Sequence, residues 1–205
     1  YLKKKIIKLK NFRLILLINF LVILINSSNG PTYDTQLYHH QLLNWNYNYK
    51  IVMNLVLLDD RMAMVSPWQL FLSLGNIKIF ELTYALLFNF IPVYILISEV
   101  LNSFEKKIKD YKIFIILSSL FVLFYSLIHP FGNGIILMHL GSLGSEFPAM
   151  IFFILLIYFY LKNLQFSRVE YRRYILILST LVVFCRISYF PILLLPIFLE
   201  FQKKF

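Results

Sequence analysis

Apolar residues occur along the chain in long runs separated by short polar stretches. Runs without a charged residue cover residues 14–25, 113–128, 147–161 and 174–184. With flanking residues, several approach the ~20 residues that cross ~30 Å of hydrocarbon at ~1.5 Å per residue. The runs lack the alternation of barrel strands, and a helix satisfies its own backbone hydrogen bonds in lipid. The pattern therefore predicts an all-α fold, a polytopic transmembrane helical bundle.

The longest polar stretch follows the first predicted span. That span is expected at residues 12–27, and residues 28–66 then form the first external loop. Within the loop, polar and aromatic side chains recur at i, i+4, i+7 and i+11, namely Asp34, Tyr38, Gln41 and Trp45. This spacing places them on one stripe of a helix, and the aromatic content favours the membrane interface.

The middle of the chain predicts a short helix and two spans. Residues 66–76 read as a helix with Pro67 in its first turn. Residues 77–101 are expected to return to the cytoplasm, with a kink near Pro92. The run 113–128 then leads outward into a glycine-rich external loop, residues 129–146.

The last third predicts one span followed by a broken one. Residues 147–161 return to a basic cytoplasmic segment, 162–173. The apolar halves 174–184 and 190–199 are each too short for a complete span, and "CRISYFP" separates them. Since both flanks of this segment are basic, it predicts a hairpin of short helices with Arg186 at the outer apex.

Charge supports this topology and argues against a nucleic-acid partner. The chain is 60% hydrophobic and 15% charged, with a formal net charge of +10. The basic residues cluster before residue 14, at 106–112, at 162–173 and at the C-terminus. This alternation is the positive-inside pattern, so anionic lipid headgroups are the expected partners and nucleic acid is not. The N-terminus is then cytoplasmic.

The ends of the chain bear on its domain organisation. The chain starts at Tyr1 rather than Met and stops at Phe205, just after a basic flank. We therefore expect one transmembrane domain over 1–205 that is a fragment of a longer protein.

Three charged residues are predicted to meet on the outer side. These are Asp34 after the first span, Glu146 before the fourth, and Arg186 at the apex. A carboxylate that is desolvated beside apolar neighbours is suited to act as a general base near neutral pH. An arginine offers a planar, permanently charged fork that fits a phosphate.

Each of these residues also has a purely structural interpretation. Asp34 fits the N-cap of the helix that follows it. Glu146 falls at a helix start, where the helix dipole favours a carboxylate. Arg186 could neutralise either acid, which does not exclude phosphate binding.

The external histidines and aspartates give weaker indications. His39 and His40 are adjacent, so on a helix they point about 100° apart and do not readily share a metal. Interfacial hydrogen bonding is the favoured role for His39. Asp59 and Asp60 could hold a divalent cation or form a solvated turn. No metal site is predicted, and any cofactor is unknown apart from such a cation.

Four stretches resemble, in order, a family of multi-pass bacterial membrane proteins associated with cell-surface polysaccharide synthesis. "YDTQLYHHQLLNW" resembles that family's "YDTxLYHxQAIxW", and "DRMAMVSPWQLFLSL" resembles "GRxxxNSSWFxLSAL". "SLGSEFPAMI" resembles "SPSPDLPAAL", and "CRISYFPILLLPI" resembles "IKLSAxPLLLLPL". Where that family has a "GNLHGR"-like segment, this chain reads "VLLDDR", which keeps Arg61 and loses the histidine.

The arrangement is similar to the GT-C glycosyltransferase fold, in which interfacial helices occupy the first external loop. The resemblance implies that Asp34 activates an acceptor hydroxyl, that Arg186 contacts the donor phosphate, and that Glu146 binds sugar or a cation. Tyr38, His39, Trp45 and Arg61 are the further residues expected to contact substrate.

The expected function is sugar transfer at the outer face of the bacterial inner membrane. The donor would be a polyprenyl-phosphate-linked sugar, and the acceptor a nascent glycan or a lipid. Two alternatives stay open: a polysaccharide polymerase or ligase, and a transporter or flippase of lipid-linked glycans. The second alternative rests on the broken segment around Arg186.

Overall fold

The described part of the chain is almost entirely helical. The computed structural model describes residues 40–49, 57, 66–75, 78–79, 82–83, 85–104, 113–119 and 144–201. The predicted all-α class is confirmed for these residues. Residues 113–119 of the predicted span 113–128 are helical. The predicted span 12–27, residues 120–128 and the loop residues 129–143 lie outside the described residues.

The first two described helices follow from local sequence. Helix α1 spans His40–Tyr49, inside the stretch predicted to be helical, and α2 spans Pro67–Ser73. A capping box starts α2: the Gln69 N–H donates to Ser66 Oγ at 3.3 Å, and the Ser66 N–H donates to Gln69 Oε1 at 3.0 Å. Pro67 occupies the first turn, where its missing N–H has no helical partner to lose.

The predicted span 77–101 is only partly right. Its start forms a two-residue antiparallel ladder, in which β1 (Lys78–Ile79) pairs with β2 (Leu82–Thr83). Helix α3 then runs over Ala85–Phe104, with Pro92 inside it. Hydrophobicity alone did not distinguish the ladder from the helix, because a short apolar run is compatible with either a strand or a helix.

Two long helices form an antiparallel hairpin. Helix α4 spans Glu146–Phe166 and α5 spans Val169–Cys185. The turn between them is short: Ser167 takes the left-handed conformation with φ of 44°, and its N–H donates to the Asn163 carbonyl at 2.7 Å. The predicted basic loop 162–173 is therefore mostly helical, and only two residues separate α4 from α5.

The seam between α4 and α5 is the centre of the described core. Its fully buried side chains include Leu155, Tyr158, Ile175, Val182 and Cys185. The short helix α2 joins this core through Trp68, whose ring meets that of Phe152 edge to face at 5.7 Å. Helix α3 packs against α4, so the neighbouring helices α2 and α3 both pack on the hairpin.

The chain breaks its helix where the sequence predicted a break. Helix α5 ends at Cys185, and Arg186 has an extended backbone with φ of −148°. A 3₁₀ segment follows over Ile187–Leu193, and α6 spans Leu194–Phe201. Both elements pack against α5.

One described helix is long and apolar enough to cross a membrane. It is α4, with 21 residues. Shorter apolar helical stretches are present at Ile91–Leu101 and Ile187–Leu199. The number of spans in the whole chain stays a prediction.

A largely buried ion pair links α3 to α4. Lys162 Nζ lies 3.2 Å from Glu99 Oε2, and the two side chains are 14% and 21% exposed. The same ammonium lies 4.2 Å from the centre of the Tyr158 ring and 5.6 Å from that of Tyr171. The aromatic faces add cation–π attraction to the ion pair.

Loss of the carboxylate should therefore destabilise the fold. Glu99→Gln leaves the Lys162 charge largely buried without its counter-ion, and we expect the free energy of unfolding to fall by roughly 2 kcal/mol. Denaturant unfolding in detergent micelles measures the change. The matched control is Glu170→Gln, which neutralises an exposed acid on the same hairpin. Equal losses in both variants would show that the pair does not stabilise the fold.

Candidate functional site

Two of the predicted site residues meet at one end of the α4–α5 hairpin. Glu146 is the first residue of α4, and Arg186 directly follows the last residue of α5. Because the helices are antiparallel, these ends coincide, and Arg186 Nη2 lies 3.7 Å from Glu146 Oε1. We call these two residues the outer pair.

The backbone on both sides of the outer pair is well satisfied. The Ala149 N–H donates to the Ser145 carbonyl at 3.1 Å, which closes the first turn of α4. The Arg186 N–H donates to the Val182 carbonyl at 2.9 Å, and the Arg186 carbonyl accepts from the Tyr189 N–H at 3.1 Å. The helix break is thus a turn held by hydrogen bonds, and it fixes where the Arg186 side chain leaves the backbone.

The outer pair is open to ligands. Its side chains are 49% and 52% exposed, and a separation of 3.7 Å exceeds that of a good hydrogen bond. Exposed pairs of this kind contribute ~0–1 kcal/mol to stability. A guanidinium has five N–H donors, so most of the hydrogen-bonding capacity of Arg186 is available to an incoming anion.

Exposed aromatic and apolar side chains lie on the same two elements as the outer pair. The Tyr189 ring, from the 3₁₀ segment, stacks with the Phe153 ring of α4, with centres 6.3 Å apart and planes 18° apart. Both rings are more than a third exposed, as are Ile187 and Phe190 beside them. This end of the hairpin therefore combines two charged side chains with exposed apolar and aromatic ones.

Phe153 and Tyr189 were not among the site residues predicted from the sequence. The available indication was the spacing of Tyr189 three residues after Arg186, which places an aromatic ring about one turn away. Its stacking partner comes from another helix, and no local pattern identifies that partner.

The other predicted site residues are only partly covered by the structure. Trp45 lies in α1, which packs against α2, and its side chain is partly buried. The remaining residues, Asp34, Tyr38, His39 and Arg61, lie outside the described residues. The predicted meeting of Asp34 with Glu146 and Arg186 on the outer side therefore stays a prediction.

The described residues contain no cluster of three or more histidine, cysteine, aspartate or glutamate side chains that could hold a metal. Asp59 and Asp60, the possible cation ligands, lie outside those residues. Cys185 has a free thiol and is fully buried in the apolar seam, so its contribution there is packing.

The described chain is thus a helical protein whose main hairpin carries an open carboxylate–guanidinium pair at one end. The chain belongs to the DUF8201 family, described as a domain of unknown function, and residues 1–204 match that family. No curated protein and no solved structure matches the chain.

The outer pair should be nearly dispensable for stability. We expect Glu146→Gln and Arg186→Gln each to change the free energy of unfolding by less than ~1 kcal/mol, because both side chains are half exposed. Denaturant unfolding of both single variants and the double variant measures this and the coupling between them. A loss comparable to that of Glu99→Gln would assign the outer pair a structural role.

Proposed function

We propose that this protein is a GT-C-like membrane glycosyltransferase of the bacterial inner membrane. It transfers a sugar from a polyprenyl-phosphate-linked donor during cell-surface polysaccharide or lipopolysaccharide synthesis. The observation that carries the proposal is the outer pair, an accessible guanidinium and carboxylate 3.7 Å apart beside exposed aromatic rings. The resemblance of four ordered stretches to a polysaccharide-associated family supports it.

Arg186 is assigned to the donor phosphate. A guanidinium binds phosphate oxygens through two parallel N–H donors, and it keeps its charge at every physiological pH. In the same site, Glu146 can accept hydrogen bonds from sugar hydroxyls. The exposed faces of Phe153 and Tyr189 offer apolar surface to a sugar ring or to the first isoprene units.

Asp34 is assigned to the acceptor, by resemblance. Its carboxylate takes the proton of the acceptor hydroxyl while the hydroxyl oxygen attacks the anomeric carbon. The bond between that carbon and the phosphate oxygen breaks, and polyprenyl phosphate leaves with the electron pair. Arg186 stabilises the charge that develops on the leaving phosphate.

Membrane placement is part of the proposal. At ~1.5 Å per residue, α4 is about 31 Å long, close to the thickness of a bilayer core. We place the outer pair at the external face and the α4–α5 turn at the cytoplasmic face, following the distribution of basic residues. A lipid-linked donor then presents its phosphate at the depth of Arg186.

Transfer of radiolabelled sugar from a polyprenyl-phosphate donor, measured on membranes that contain the protein, tests the function. We expect Asp34→Asn to reduce transfer by roughly 100-fold or more, the range lost with a general base. Arg186→Gln should reduce transfer strongly. Arg186→Lys should reduce it less, because lysine keeps the positive charge but lacks the two parallel N–H donors of the guanidinium. The control is Glu170→Gln, at the other end of the hairpin, which should transfer sugar normally.

Unchanged transfer by both Asp34→Asn and Arg186→Gln would end the assignment of these roles. The helix break at Arg186 is the observation that favours a transporter instead, because broken helices line transport sites. Flux of a lipid-linked glycan across vesicles without any transfer would therefore select transport over catalysis.

The topology gives a separate prediction. The exposed serines at opposite ends of α5, Ser167 and Ser188, are each replaced by cysteine, a residue of similar size. A membrane-impermeant maleimide applied to intact spheroplasts should label Ser188→Cys, whereas Ser167→Cys should react only after permeabilisation. The wild type is the control: Cys185 is fully buried, so its background labelling should be low. Labelling of both variants from the same side would contradict the placement of α5 across the membrane.

A further inference from the structure

The α4–α5 turn, at the opposite end of the hairpin from the outer pair, has its own concentration of positive charge. Arg168 precedes the first residue of α5, Arg173 lies in its second turn, and both side chains are exposed. Two further cations nearby are already engaged: Lys162 pairs with Glu99, and Arg172 is partly buried and has interactions of its own. Arg168 and Arg173 are therefore the accessible cations of this turn.

An exposed apolar surface continues directly from these arginines. Along α5, Val169, Arg173 and Ile177 follow at intervals of four residues and so lie on one stripe of the helix. Val169 is 55% exposed and Ile177 54% exposed, although neither side chain is polar. Leu164, near the end of α4, is also exposed. Positive charge next to exposed apolar side chains on one face matches a molecule with an anionic head and an apolar tail.

This combination discriminates between classes of partner. An acidic peptide or a nucleic acid would be attracted to the arginines but would leave the apolar stripe exposed to water. A lipid covers the stripe with its acyl chains while its phosphate meets the guanidinium groups. Glu170 lies between the two arginines in the first turn of α5, where the helix dipole favours a carboxylate. With the two arginines and Glu170 counted together, the accessible side chains of the turn carry a net positive charge.

We propose that the α4–α5 turn is a binding site for one anionic phospholipid of the cytoplasmic leaflet, held by Arg168 and Arg173 at its phosphate and by the exposed Ile177, one turn beyond Arg173, along its acyl chain. The site is distinct from the outer pair. The proposal rests only on the membrane placement given above, and it is independent of sugar transfer.

The test is competition between two lipids for the purified protein. Phosphatidylglycerol and phosphatidylcholine with the same acyl chains are added in equal amounts to the protein in detergent, and native mass spectrometry measures which lipid stays bound. We expect wild type to retain phosphatidylglycerol preferentially. Each arginine near an anionic surface accounts for roughly fivefold in affinity, so Arg168→Gln with Arg173→Gln should lower the preference by roughly 25-fold.

Two matched variants identify the source of any preference. Arg168→Lys with Arg173→Lys keeps both charges and should retain most of the preference, which also shows that the turn tolerates substitution. Arg186→Gln measures any phosphatidylglycerol that binds at the outer pair instead, and a site at the turn predicts that it lowers the preference less than the double glutamine variant does. Equal retention of both lipids by wild type would overturn the proposal. So would a preference that Arg186→Gln abolishes and the double glutamine variant does not.

The result separates this site from the proposed function. A protein that prefers phosphatidylglycerol but transfers no sugar keeps the lipid site and loses the glycosyltransferase assignment. A protein that transfers sugar without any lipid preference keeps the glycosyltransferase assignment and loses the lipid site. If alkaline carbonate releases the chain from membranes, the proposed membrane placement is wrong, and with it both the lipid site and the glycosyltransferase assignment.

Discussion

The packing of α4 against α5 forms the centre on which α2, α3, the 3₁₀ segment and α6 pack. Leu155, Ile175 and Val182 are fully buried in the seam between these helices, and they fix the relative register of the two elements. A two-residue turn makes the hairpin antiparallel, so each end of α4 lies beside the opposite end of α5. Residues that are 40 positions apart in the sequence, such as Glu146 and Arg186, become neighbours for this reason alone.

Among the described residues, two ion pairs of the hairpin differ in their surroundings. Lys162 and Glu99 are largely buried, and aromatic rings cover the ammonium group. Burial of a charge is tolerated only with such compensation, so this pair serves the packing of α3 on α4. Glu146 and Arg186 are half exposed and bind each other weakly. Weak mutual attraction leaves the second pair free to exchange partners, which a binding site requires.

Charged groups at both ends of an apolar hairpin are the arrangement that a bilayer selects. Hydrocarbon favours the exposed apolar side chains along α5 and excludes the arginines, which move to the headgroup level. In the proposed membrane placement, the division that brings a lipid phosphate to each end of the hairpin would also bring the phosphate of a lipid-linked sugar near Arg186. The two proposed ligands thus share one chemistry, an anionic head on an apolar tail, and differ in the leaflet that they occupy.

Local sequence was enough to locate most described helices. The capping pattern around Ser66 and Pro67, the apolar run of α4 and the break at "CRISYFP" all act within a few residues, so they could be predicted without knowledge of contacts. Tertiary structure alone decided that Glu99 meets Lys162 and that Phe153 stacks on Tyr189. These features depend on which apolar faces pack together. That choice is set by many weak contacts between distant segments, and no periodic pattern within one segment records it.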